Sequence, residues 1–199
     1  MKRYGIILCG LCLTVLSLVS ASAEVREIPM PLVAEAFSGE VPPHPRLLIT
    51  EQAMAEIKDL VGRDELAKGF ADAVVEKADR IIKEPPVERV MTGRRLLGVS
   101  RKCLDRVIHL AFAYRLTGNR AYLERGEIEM VAASGFSDWN PSHFLDVAEM
   151  TSALAIGYDW FYHDLSDEGR KAIQSAIRQK GWEPGRGNAG WVGGNNNRD

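Results

Sequence analysis

The chain predicts an all-α fold, an incomplete (α/α) toroid built from consecutive antiparallel helix hairpins. Apolar residues recur at helical spacing from Phe144 to Phe161, at Val147, Met150, Leu154, Ile156 and Tyr158. Helix-starting residues follow directly on short turns at Gly118-Asn119 and Leu165-Ser166. No segment shows the apolar-polar alternation of a strand. The two turns lie roughly 47 residues apart, longer than the ~34-residue period of the tetratricopeptide motif that TGNRAYLERG otherwise suggests. An open helical solenoid shares these signatures and differs only in whether the array closes.

In chain order, the proline-rich, aperiodic stretch from Val25 to Pro45 reads as an extended lead-in. Thr50 suits an N-cap for a helix through Val61, and Asp64 for a second reaching about Lys83, where Pro85-Pro86 forbids continuation. Ser100 can start a third helix through Leu116, with Gly118 just past its end and Asn119 capping a fourth to about Ser134. Ser142 or a close neighbour starts a fifth. Ser166, followed by Asp167 and Glu168, starts a sixth with its acids where the helix dipole favours them.

At the N-terminus, Lys2 and Arg3 precede an apolar run from Ile6 to Val19, and Ala21-Ser22-Ala23 supplies the small residues a signal peptidase reads. Cleavage near Ala23 and a periplasmic or secreted location follow. The organisation is then 1–23 signal peptide, 24–45 lead-in and 46–199 a C-terminally truncated toroid domain. The apolar run is shorter than the ~20 residues that cross a bilayer, and no later segment approaches that length without charge, so no membrane span is expected. A lipoprotein reading meets Leu8 and Leu11 before Cys9 and Cys12, where lipid attachment wants a small residue.

Signal removal leaves Cys103 as the last of 3 cysteines, so the core holds by packing rather than by a disulfide. Removing Lys2 and Arg3 from 25 basic residues leaves 23 against 27 acidic, a net charge of −4 that argues against a nucleic-acid partner. His109 and Cys103 sit in apolar company and read as core or rim residues. His143, Asp146 and Glu149 run i, i+3, i+6, which swings the third off the shared face. His143 and Asp146 read as capping or interhelical hydrogen-bond partners, and neither a metal nor a cofactor is expected.

Sugars are held by flat aromatic faces together with amides and hydroxyls. Two clusters offer such groups: Trp139, Asn140 and His143 before the fifth helix, and the tail WEPGRGNAGWVGGNNN, with Trp182, Arg186, Asn188, Trp191, Asn195, Asn196 and Asn197. The alternative for the tail is an ordinary loop.

Four pieces in order, HPRLLIT (His44 to Thr50), AYRLTGNRAYL (Ala113 to Leu123), HFLDVAEM (His143 to Met150) and AIGYDWFY (Ala155 to Tyr162), resemble the N-terminal part of heparinase II/III-like polysaccharide lyases. The resemblance spans roughly His44 to Asn197. It implies a toroid that cradles an acidic polysaccharide, in the broader manner of chondroitin AC and alginate lyases, and β-elimination at a uronate. It further implies that Asn197 or Asn196 neutralises the uronate carboxylate, while Trp139, Asn140, His143, Trp191 and Asn195 are read as substrate contacts from their residue types. The tyrosine base, a further histidine and a β-sandwich-type C-terminal domain would lie beyond Asp199, so this polypeptide alone is expected to be inactive. A non-catalytic glycan- or protein-binding helical module is the alternative. A glycoside hydrolase fragment, which could pair Asp159 with Glu149, ranks below both.

Overall fold

The structure, a computed structural model, describes Gly39 and residues 41–186. The regular elements are α1 (Glu51–Arg63), α2 (Glu65–Ile81), α3 (Leu97–Thr117), α4 (Arg120–Ser134), α5 (Phe144–Trp160), α6 (Asp167–Ala176), a π-helical turn (Ile177–Trp182) and the short α7 (Glu183–Arg186). Among the described residues there is no strand beyond an isolated Thr92–Arg95 bridge. The chain is therefore all-α.

Four helix starts follow from local side-chain chemistry. Thr50, Asp64, Asn119 and Ser166 each accept a hydrogen bond from a first-turn N–H, of Ala53, Ala67, Ala121 and Gly169 respectively. These bonds satisfy donors that the helix itself leaves open. Gly118 ends α3 in the left-handed region at φ 74, a backbone state that costs glycine little. Its N–H returns to the Tyr114 carbonyl.

Helix α3 occupies the centre, packed on α5, α4 and α2. Val107, Leu110, Met130, Met150, Leu154 and Trp139, all fully buried, share that core with Cys103. Burial pushes the Cys103 thiol up, and Glu129 adds to the shift. His109 is half-buried with Nδ1 against the Asp105 carbonyl at 2.6 Å, a rim residue as its surroundings predict.

The start of α3 differs from the expectation. The helix begins at Leu97, and Ser100 lies inside it with a buried hydroxyl that has no hydrogen-bond partner. The cap comes from a distance: the Leu96 N–H donates to Asp146 Oδ2 at 2.6 Å. Asp146, on α5 and wholly buried, also accepts from Asn140 Nδ2 at 2.7 Å and from Arg95 Nε at 3.3 Å.

A matching arrangement holds the other end of α5. Asp159, 2% exposed, receives His44 Nδ1 at 2.5 Å and the N–H groups of Arg46 and Leu47 at 2.9 and 2.8 Å. The Trp160 indole N–H donates to the Leu47 carbonyl, and Arg115 of α3 donates to the carbonyls of Ile49 and Thr50. His44 stacks on Tyr162 at 3.8 Å between centroids. The segment that precedes α1 is thereby strapped across the ends of α3 and α5.

A third tie is ionic. Glu129 of α4, fully buried, meets Arg106 of α3 at 3.1 Å and Arg125 at 2.7 Å. Both arginines continue into the loop after α2, Arg106 to Glu84 and the Pro85 carbonyl, Arg125 to the Glu84 carbonyl. A carboxylate buried so deeply persists because it is paired from both sides.

Candidate functional site

The loop from Phe136 to His143 and the first turn of α5 form the mouth at which sugar contacts are expected. Trp139 is 0% exposed, and its indole N–H donates to the Ala133 carbonyl at 3.0 Å. It is a core residue with no face open to solvent, unlike the stacking platform its loop position suggests. Asn140 is likewise structural. Its backbone lies at φ 60, a state asparagine tolerates better than most residues. Its amide donates to the Arg94 carbonyl and to Asp146, and its Oδ1 accepts from Ser142 Oγ.

Asp138 fixes this loop from outside. Burial alone pushes its carboxyl up, but hydrogen bonds from Arg89, the Asn140 N–H and Ser137 together with the Arg89 charge outweigh that and hold it below the usual carboxylate range. His143 is the half-buried N-cap residue of α5, yet its side chain makes no capping bond. Asp146 turns inward, whereas Glu149 turns outward to Arg101 at 3.1 Å. The i, i+3, i+6 set thus serves separate purposes. Among the described residues no group of three or more His, Cys, Asp and Glu could hold a metal ion.

The π-helical turn brings the base of the tail to this same mouth. A Cβ at Gly181 would stand 2.6 Å from Thr151 Oγ1 and 3.3 Å from the Trp139 ring, so only glycine allows the approach. A Cβ at Gly185 would meet the Phe144 ring at 3.0 Å. Lys180 reaches back to the carbonyls of Ser134 and Phe136 at the end of α4. Burial lowers its ammonium below the usual lysine range, with Asp138 opposing.

Two residues next to these anchors face outward. Trp182 is 59% exposed, and the Arg186 guanidinium lies over its ring at 5.7 Å. The two sequence clusters therefore converge on one end of α5, with the roles of their tryptophans exchanged: Trp139 packs and Trp182 is presented. A local signal separates them only weakly, since both lie in polar, glycine- or asparagine-containing surroundings. Trp191, Asn195, Asn196 and Asn197 lie outside the described residues, as do the expected signal peptide and most of the lead-in. No described helix is long and apolar enough to cross a membrane.

No family model matches the chain, and the search of curated proteins finds no match.

Proposed function

We propose that the chain is the N-terminal, toroid-forming part of a periplasmic or secreted polysaccharide lyase that cleaves uronate-containing glycans by β-elimination. The observation that carries this reading is the convergence at the mouth of α5. An exposed tryptophan and an arginine, Trp182 and Arg186, flank Gly185, which packs on Phe144 next to His143 in the chain, and the asparagine-rich tail follows in sequence. An aromatic face and a cation suit an acidic sugar.

A second support is architectural. The four sequence pieces that resemble heparinase II/III-like lyases are the pieces that lock the fold: His44, Arg46 and Leu47 close on Asp159, Arg115 closes on Ile49 and Thr50, and Asp146 caps α3. Residues tied to one another in this way fit a common helical framework.

In the proposed reaction the C5 proton of the uronate is removed, the C4–O bond to the leaving chain breaks, and a C4–C5 double bond forms as the departing oxygen takes a proton. The proton is only weakly acidic, so the developing enolate needs donors on its carboxylate. Asn196 or Asn197 supplies the amide, and a tyrosine acts as base and acid.

The binding-module reading is favoured by one observation, that Trp139, Asn140 and Asp146 at the mouth are engaged in packing and hydrogen bonds within the protein. A glycoside hydrolase needs two carboxylates across a cleft. Asp159 is buried and spent on the strap, and Glu149 is paired with Arg101, so these two residues do not provide that pair.

The test is to express the reading frame that runs through the codon for Asp199 and follow formation of unsaturated uronate by ultraviolet absorbance on a panel of acidic glycans. Turnover lost in Asn197→Ala, with circular dichroism unchanged, supports the lyase. Glycan binding without turnover on any member of the panel favours the binding module, and absence of both defeats the two readings together.

A further inference from the structure

We infer that a second site, at the opposite end of α5, binds a neutral, hydroxyl-rich small molecule of the size of a mono- or disaccharide. A cavity of about 320 Å3 lies where α1, the C-terminal end of α3 and the turn after α5 meet. That is the small end of the roughly 300–1,000 Å3 common for small-molecule sites. Helix α5 has 17 residues, so the cavity stands about 24 Å from the mouth of α5 at ~1.5 Å per residue.

Charge selects the class of ligand. Lys58 and Arg115 line the cavity together with Glu51 and Asp164. A lone anion entering meets two carboxylates, and a lone cation meets two cationic side chains. Part of this charge is already committed inside the protein. Arg115, its side chain 5% exposed, is held by the Ile49 and Thr50 carbonyls and by Glu51 at 3.4 Å. A neutral guest gains most from what is left, which is hydrogen-bonding capacity.

That capacity is specific. The left-handed turn at Gly118 leads the chain away from α3, and the carbonyls of Leu116 and Thr117, two lining residues, accept from no described residue. They are helix-end acceptors awaiting donors, and hydroxyl groups supply them. Lys58 makes no ion pair or hydrogen bond among the described residues, so its ammonium can donate. His163 Nε2 faces the His44 carbonyl at 3.0 Å. A carbonyl only accepts, so the neutral ring carries its proton on Nε2 and leaves Nδ1 as an acceptor. Unpaired acceptors and a free donor among the lining residues match a ligand whose hydroxyl groups both donate and accept.

The site stands independently of the lyase reading. Its test is titration of the full chain with glucose, mannose, N-acetylglucosamine and maltose, and with glucuronate and glucosamine as charged counterparts, by calorimetry and saturation-transfer NMR. Saturable binding of a neutral sugar, with a Kd on the order of millimolar, is expected, and the charged counterparts should bind about tenfold more weakly. Lys58→Met should weaken the neutral sugar about threefold or more without changing Tm, and Asp164→Asn, whose carboxylate also meets Tyr114 and Arg120, should weaken it similarly with the fold retained by circular dichroism. Absence of saturable binding by every neutral sugar, equal binding of charged and neutral forms, or unchanged affinity in both variants overturns the inference. Failure of the elimination assay bears on none of these outcomes.

Discussion

Asp146 and Asp159 perform the same task at opposite ends of one helix, each using a single buried carboxylate to satisfy donors brought from far along the chain, one backbone N–H at Asp146 and two at Asp159. Removing such an acceptor strands several buried donors at once. Asp159→Ala and Asp146→Ala should each cost about 3–5 kcal/mol in urea unfolding. The asparagine variants keep one acceptor and should lose less. A loss below about 0.5 kcal/mol for either alanine variant would mean that water replaces the carboxylate and that the strap is dispensable. The same residues mark the limit of what the sequence discloses. Thr50, Asp64, Asn119 and Ser166 cap helices through bonds that span two or three residues, so each is visible in a short window. The cap on α3 spans 50 residues and the His44–Asp159 contact 115, and no local pattern announces either. Trp139 and Trp182 fall on the same boundary, because exposure is decided by neighbours that arrive from other helices.

Helices meet most closely where glycine removes a side chain from the interface, and two glycines in helix interiors separate that role from mere tolerance. A Cβ at Gly157 of α5 would lie 2.3 Å from Met130 Sδ and 2.5 Å from Val107 Cγ1, both in fully buried residues. At Gly69 of α2 a Cβ would meet nothing within 4 Å. Gly157→Ala should destabilise by about 1–3 kcal/mol despite its better helix propensity, whereas Gly69→Ala should stabilise by about 0.5–1 kcal/mol. Thermal unfolding of the two variants checks the pair, and equal shifts would show that α3, α4 and α5 have room to separate. The register of elements was legible because caps and breakers agree with apolar periodicity along most of the chain. The π-helical turn was not. It forms where Gly181 closes on Thr151 and Lys180 reaches the carbonyls of Ser134, the last residue of α4, and of Phe136 just past it, contacts that belong to packing. Lys180→Met should accordingly cost about 1 kcal/mol by leaving those carbonyls open near the negative end of the α4 dipole.

Across the whole molecule, burial has set the ionisation of several groups in one direction. The Tyr114, Tyr122 and Tyr158 phenols are pushed above their ordinary value of 10.0, first by burial, with hydrogen bonds to Asp164 and Asp79 adding for the first two and Tyr162 for the third. The Cys103 thiol is pushed above 9.0 by the same cause. A group whose folded pKa is raised contributes stability below its unfolded pKa and loses it as pH climbs toward the folded one, because the unfolded chain sheds the proton first. Lys180 has the opposite sign: its folded pKa is depressed from 10.5, so its contribution improves as pH approaches that value. One lysine set against three phenols and a thiol leaves a net fall. Tm should therefore hold steady near neutrality, begin to drop above about pH 9, and drop faster above about pH 10. Cys103→Ala should delay the onset to the tyrosine range while leaving the steeper phase in place, which separates the thiol from the phenols. A Tm unchanged to about pH 11 would mean that these side chains titrate as they do in the unfolded chain, and that the core around α3 admits water at the positions where the fold excludes it.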